Sequence, residues 1–534
     1  MEKMQSTVVV CRGGLDSNLN WLELSRNAPG RASRLVNFEP SLFGGYRRIN
    51  GYTYLEDSDS GEVDPTNAEG KIFGVAIFAG DDIITARKQT SGNTYNFYNY
   101  SPGSSWSAFT TGLTLSSIGL DKIRHANFNF AGNDRIIFVD KVNNATLFDG
   151  ATWVNIDPAA SGADYANAGG PQALSAPSLA HMWENHVFVS GDPTYPNVVA
   201  HSAPYADHDW TFASGAGQID AGMEVKQIFP FRDKLFVFGD DRIKYIYVNG
   251  TNFAIKDVTS DIGIYAPDSV IEVNGDLLFL SPDGIRPISA TERNEDFEIS
   301  SISKSIQEDL RQLTDTIQET ELHSVVLRSK SQFRYFFSDE SVDDEYAEGV
   351  IGGLKNYGQG LSWEFGILRG IKCSCVTSGY FGSQKTEFVV HGGHDGKVYR
   401  QEQGNSFNGA NITAQYHTPY LDFGEPALRK TLKSIGLFTR PEGSVDIDLS
   451  INYDWGILDR INPAGYELNS TGDIVVYGDA VYGEASYDSI SAPTMYTNIQ
   501  GSGKSAQLRF QTNGTEPSYT IQSILFVFEV NGFK

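Results

Sequence analysis

Cysteine is scarce in this chain of 534 residues: Cys11, Cys373 and Cys375 are the only three, and two of them are one residue apart. An odd count at that spacing builds no disulfide framework and points to free thiols in a reducing compartment. Long apolar runs are missing as well. No stretch approaches the ~18 residues of a membrane-crossing helix, and the opening MEKMQSTVVVCRGG has no apolar core of signal-peptide length. The expectation is a soluble protein made in a cytoplasm, with no stable membrane insertion, which a particle released by lysis fits. Basic charge is in short supply too, with 41 Lys and Arg against 66 Asp and Glu, a net charge of −25. A surface of that sign repels nucleic acid, which excludes sequence-specific DNA binding. It suits either a wall along which DNA slides without sticking or a large assembly kept in solution, and the number alone favours neither. Nucleophile elbow, phosphate loop and dinucleotide glycine motif are all lacking. The sequence therefore predicts no enzyme and no cofactor.

Glycine (54), tyrosine (26) and phenylalanine (32) are abundant, a composition suited to short strands joined by tight turns. The length calls for two or three domains. Short β-branched or aromatic runs, each opened by a polar turn residue, dominate from residue 71 to about 404. They begin at Lys71, Asp134, Asn185, Asp233, Gly275, Gln332 and Thr386. From Asp134 onward successive starts lie 51, 48, 42, 57 and 54 residues apart. Most units close on an aromatic and a polar strand: Trp106–Phe109, Trp153–Ile156, Trp210–Phe212, Phe253–Ile255 and Trp363–Phe365. All-strand units of this length are the size of a propeller blade, which cannot bury both faces alone and must stack radially. The predicted fold is mainly β: a central β-propeller of about six blades over residues 71–405. Residues 1–70 form an N-terminal arm and 406–534 a C-terminal β-section, the two sharing a β-sandwich platform. A pair of stacked sandwiches is the competing architecture. Between Ile302 and Ile317, apolar residues at spacings of 4, 4, 3 and 4 predict one amphipathic helix. The terminal run Ile521–Val530 reads as a buried strand.

Several clusters invite a chemical reading and a plainer one. Asp57, Asp59, Gly61, Glu62 and Asp64 loosely resemble a calcium loop but lack its full oxygen set and spaced closing Glu, so a solvated turn is favoured. His391, His394 and Asp395 could offer metal ligands, yet Asp395-Gly396 reads better as a hairpin turn. Cys373 and Cys375 fall on one face of a strand, at a spacing unsuited to a redox pair.

Two stretches carry a family likeness. The first runs through Arg12-Gly-Gly-Leu-Asp16, Leu35-Val-Asn-Phe-Glu-Pro40 and Gly44-Gly-Tyr-Arg-Arg-Ile-Asn-Gly-Tyr52. The second joins Gly393–Tyr399 to Ala414–Pro426 and Leu428–Ile435. Together they cover roughly a fifth of the chain, bracket the repeats, and resemble the nozzle (tail tubular protein B) and hub proteins of bacteriophage tails. The resemblance implies a virion structural protein assembled in the host bacterial cytoplasm. It further implies a homo-oligomer of six copies at the distal end of the DNA-ejection channel, partnered by a tail adaptor or tube protein and by tail fibres. DNA would pass through non-specifically. The chain lacks the inserted tip domain of larger members. On that likeness Leu35, Phe38, Tyr46, Tyr420, Phe423 and Ile435 would knit the platform. Arg47 and Arg48, with Tyr46, Tyr420 and Phe423, are candidates for the interface between copies, where Arg offers bidentate hydrogen bonds. Asp57, Asp59, Glu62, Asp64, Asp343 and Asp344 are candidates for a lumen or for solvent. Two rivals make different demands. A receptor- or glycan-binding tail component predicts exposed Trp and Tyr clustered on one propeller face, and a capsule-degrading glycosidase predicts carboxylates converging to about 5–10 Å.

Overall fold

The structure, a computed structural model, describes residues 4–55, 68–101, 106–157, 171, 175–289, 301–338, 340–356, 360–383, 385–456, 462–470 and 494–531. It is mainly β, and each apolar run beginning between Lys71 and Thr386 lies within or overlaps a strand. The cause is local: β-branched and aromatic side chains pack well on a pleated surface, and Gly or Asn residues between the runs take the positive φ of tight turns.

Six sheets form separate propeller blades. The first comprises Ala68–Phe78, Asp82–Gln89 and Thr94–Tyr100 with two short flanking strands. Four strands from Arg124–Phe130 to Trp153–Asn155 make the second, and four from Leu179–Trp183 to Gly217–Asp220 the third. The fourth runs from Gln227–Phe231 to Asn252–Thr259, and the fifth has three strands, Ile271–Val273, Asp276–Ser281 and Gly284–Pro287. Cys375–Phe381, Thr386–Gly392 and Val398–Gln401 make the sixth, whose outer strand is Tyr52–Tyr54 from the start of the chain. That strand closes the ring by hydrogen bonding two distant parts of the sequence. The N-terminal arm therefore serves the propeller as well as the platform.

One sector of the ring is not an independent blade. Leu322–Leu327 packs between the inner strands of the fifth and sixth blades. With Gln332–Phe337, Glu348–Asn356 and Leu361–Arg369 it continues into a nine-stranded sheet through Arg34–Val36, Ile412–His417, Ala506–Gly514, Val445–Tyr453 and Tyr466–Ser470. One sheet is thus blade at one end and platform at the other. The repeat counted at Gln332 belongs to this shared sheet.

The second platform layer is a seven-stranded sheet. Its strands are Met4–Val10, Phe38–Pro40, Tyr46–Arg48, Tyr519–Val530, Lys430–Pro441, Thr494–Asn498 and the short Ser502–Gly503. The two layers bury Leu35, Tyr416, Leu449 and Phe510 against Ile435, Leu437, Ile524 and Phe526. Each such fully buried side chain contributes about 1.5–3 kcal/mol. Gly45, in the sequence Gly44-Gly-Tyr, has φ +85° and lies where a Cβ would collide with the Ile521 carbonyl.

Three local expectations are corrected. Trp210–Phe212 is not a closing strand: the Trp210 indole is sunk into the core between the second and third blades, donating to the Asp207 carbonyl at 3.2 Å. The blade closes later, at Gly217–Asp220. Cys373 and Cys375 do not share a strand face, because the strand starts at Cys375 and the thiols enter different core clusters. From Ile524 to Phe528 the last long strand alternates between buried and half-exposed instead of being buried throughout, since its sheet is covered on one side only. The amphipathic stripe does fold as a helix, Gln307–Thr316, after a 3-10 turn. It lays Ile306, Leu310 and Leu313 into the core shared with the fifth blade and the platform.

Candidate functional site

The inner strands surround a polar cavity of about 170 Å³ on the propeller axis. Lys122 and Arg124 reach it from the start of the second blade, Asp268 from just before the fifth. Arg124 grips Asp268 with Nε and Nη2 at 2.7 and 2.8 Å, and Lys122 Nζ reaches the same carboxylate at 2.7 Å. Lys122 also donates to the Leu322 carbonyl at 3.2 Å and Arg124 to that of Ser178 at 3.3 Å. Burial alone would raise the Asp268 carboxyl, but Arg124 and Lys122 outweigh it and hold the group well below the usual carboxylate range. His125 and His181 also line the cavity, and burial lowers both to about 4, so they are neutral at physiological pH. His323 is lowered in the same way, chiefly by burial. The axis is thus pinned across its width by a fixed ion triad and is far too narrow for a nucleic-acid duplex.

A second charge network joins the propeller to the platform. Glu39, almost wholly buried, accepts from Lys330 Nζ at 2.7 Å, Arg47 Nη1 at 3.0 Å and Arg334 Nη2 at 3.3 Å. Glu402, at the end of the sixth blade, takes Arg334 at 2.5 Å and pairs with Lys330 as well. Burial would raise the Glu402 carboxyl, but these two cations override it and draw it below its ordinary value. Neither this network nor the triad has a sequence signal. Lys122 and Asp268 are 146 residues apart, and a lone Asp before a strand looks like any turn residue.

The candidate interface residues are turned inward. Tyr46 is buried, its hydroxyl donating to the Gly30 carbonyl at 2.8 Å and accepting from Gly14 N–H at 3.1 Å. Arg47 pairs within its own chain, bidentate to Glu442 at 2.6 and 2.7 Å. Arg48 is 1 % exposed and donates to the carbonyls of Gly514 and Glu516 at 2.7 and 2.8 Å. Tyr420 is buried beside Trp21, and Phe423 packs on Phe526 and Phe528. All five build the chain's own platform, because an Arg at a sandwich edge satisfies local carbonyls and carboxylates before it can serve a neighbour. Asp343 and Asp344 are exposed, at the 3-10 turn Asp344–Tyr346. Asp57, Asp59, Glu62 and Asp64 lie outside the described residues.

His391 is buried, stacks on Tyr399 and contacts Gln401, while Asp395 accepts from the Tyr399 hydroxyl at 2.6 Å. Among the described residues no group of three or more His, Cys, Asp or Glu is placed to hold a metal. Exposed tryptophans among the described residues are Trp21 and Trp455, both on the platform. Tyr205 and Tyr380, exposed on the propeller, belong to different blades. No helix among the described residues is long and apolar enough to cross a membrane.

No family model and no curated protein matches the chain. Solved structures do. The extracellular domain of BT4673 from B. thetaiotaomicron is 10 % identical, with a TM-score of 0.31, the alignment covering 76 % of this chain and 41 % of that one. The Neurospora crassa Pan2 WD40 domain is 6 % identical, with a TM-score of 0.35, over 63 % of this chain and 91 % of that one. The chain spans about two fifths of the length of the first of these.

Proposed function

We propose that this protein is a structural subunit of a bacteriophage tail, a nozzle or hub component. In this reading several copies form a ring that conducts DNA and docks an adaptor and fibres. The observation that carries the reading is the co-folding of strands from the first 48 residues with the described strands between Ile412 and Val530 into one two-layered body, with the propeller inserted between them. That arrangement matches the assembly base implied by the family likeness of the two flanking stretches. Two further points support it. The net charge of −25 suits a surface past which DNA moves without binding, and the ion-pinned axis leaves a ring of copies as the conduit. The protein works as scaffold and passage, without catalysis. The glycan-binding alternative is less well supported, since exposed tryptophans sit on the platform and not on one propeller face.

Negative-stain images of the purified protein test the proposal. Closed rings of six copies with projecting propellers are expected. A monomer that binds or cleaves polysaccharide would refute it.

A further inference from the structure

Two strands of the seven-stranded platform sheet have a ladder partner on one side only among the described residues. Met4–Val10 pairs on one side only, with Tyr519–Val530, and Thr494–Asn498 on one side only, with Lys430–Pro441, among the described residues. Neither strand, Met-Gln-Ser-Thr-Val-Val-Val nor Thr-Met-Tyr-Thr-Asn, contains a charge or a proline. These are the devices by which proteins keep sheet edges from pairing. Some other outer strands carry them, such as Asp220 in the third blade, Lys256 and Asp257 in the fourth and Glu467 in the nine-stranded sheet, while Trp153–Asn155 and Tyr52–Tyr54 do not. One row of the outward face between the two edges is apolar too. Val8 lies opposite Leu525, Leu525 opposite Gly436, and Gly436 opposite Tyr496, a single row across the sheet. Val8 and Tyr496, at its ends, are 53 % and 65 % exposed.

We infer that these edges pair with each other between copies: strand 4–10 of one copy adds to strand 494–498 of the next. The inference deepens the ring reading and rests on it. Charge selects a second copy as the occupant. Two chains of net charge −25 repel over most of their surface, so a self-contact must be uncharged, whereas a basic partner would be met by carboxylates, which neither edge has. Position selects the geometry. The edges are at opposite ends of one strand order, so head-to-tail pairing consumes both and prolongs the sheet from copy to copy. Such a heterologous contact forms a ring where the rotation between copies closes, and a filament where it does not. Pairing an edge with its own duplicate would stop at two copies and leave the other edge bare.

Native mass spectrometry of the full chain is the first test. The wild type should run as one closed oligomer, and Val8→Lys and Tyr496→Lys should each run as monomer with an unchanged circular-dichroism spectrum. The second test keeps the inference falsifiable should either variant misfold. Ser6→Cys and Asn498→Cys place thiols on the outward face of each edge, and under mild oxidation a mixture of the two variants should cross-link while neither does alone. A wild-type monomer refutes the ring reading and this inference together. An intact wild-type oligomer whose mixed variants stay unlinked, or whose Ser6→Cys links to itself, refutes the edge pairing and leaves the ring standing.

Discussion

Replacing Asp268 by Asn probes the axial triad directly. The substitution keeps the shape of the side chain and removes its charge, leaving Lys122 and Arg124 side by side in a cavity of about 170 Å³ without their shared anion. Removing one partner from a buried ion pair costs about 3–5 kcal/mol. With a urea slope of about 3 kcal/mol/M, the unfolding midpoint falls by about 1–2 M. Tryptophan fluorescence reports it, since Trp153, Trp183 and Trp210 lie in the second and third blades. The pH dependence has a definite sign. A carboxyl held below its unfolded value stabilises the fold above the ordinary Asp range, ~3.9, and that stabilisation is lost as pH falls toward the folded value. The gap between wild type and Asp268→Asn is therefore constant from about pH 5 to 8 and narrows below about pH 4. Replacing all three residues by apolar ones (Lys122→Met, Arg124→Met, Asp268→Leu) should recover most of the loss. A midpoint for Asp268→Asn within ~0.3 M of wild type at pH 7 would refute the claim that the triad clamps the ring.

Burial pushes Cys11 up to about 12 and Cys375 to about 11 and raises Cys373 likewise, so native protein at pH 8 should leave all three unlabelled by iodoacetamide and label them in urea, as read by mass spectrometry. Arg48→Met strands the carbonyls of Gly514 and Glu516 and should destabilise the platform by about 2–4 kcal/mol in a urea melt, with Arg48→Lys recovering only part. Gly44 and Gly45 both have positive φ, but only Gly45 faces a backbone carbonyl. Gly44→Ala should cost about 1–2 kcal/mol, and Gly45→Ala clearly more, in thermal melts.

Strands and helix were legible in the sequence because burial writes itself locally: Ile136, Ile137, Phe138 and Val139 are consecutive, buried and β-branched or aromatic, and Ile306, Leu310 and Leu313 share one helical stripe. A propeller of about six blades followed from the spacing of such runs. What escaped was whatever depends on distant partners. Gln332–Phe337 looks like one more blade strand, and only its continuation through Glu348–Asn356 and Leu361–Arg369 to Arg34–Val36 ties it to the platform. Trp210 looks like the other closing aromatics but fills a gap between blades. Arg47 and Arg48 are adjacent and read as candidates for an interface between copies, yet one reaches Glu442 and the other the carbonyls of Gly514 and Glu516. For the site the loss was greater, since Lys122, Arg124 and Asp268 meet only once the ring exists.

The strand Tyr52–Tyr54, which completes the sixth blade by pairing with Val398–Gln401, sets a clock on folding. During synthesis it must wait for nearly 350 further residues before its partner emerges. At about 5–20 residues per second that is on the order of 20–70 s. For all that time the early blades exist as an open arc with an unsealed inner face. Ring closure is then a late event, and a nascent chain stalled just before residue 398 holds the strands of the first five blades without the pairing that completes the sixth.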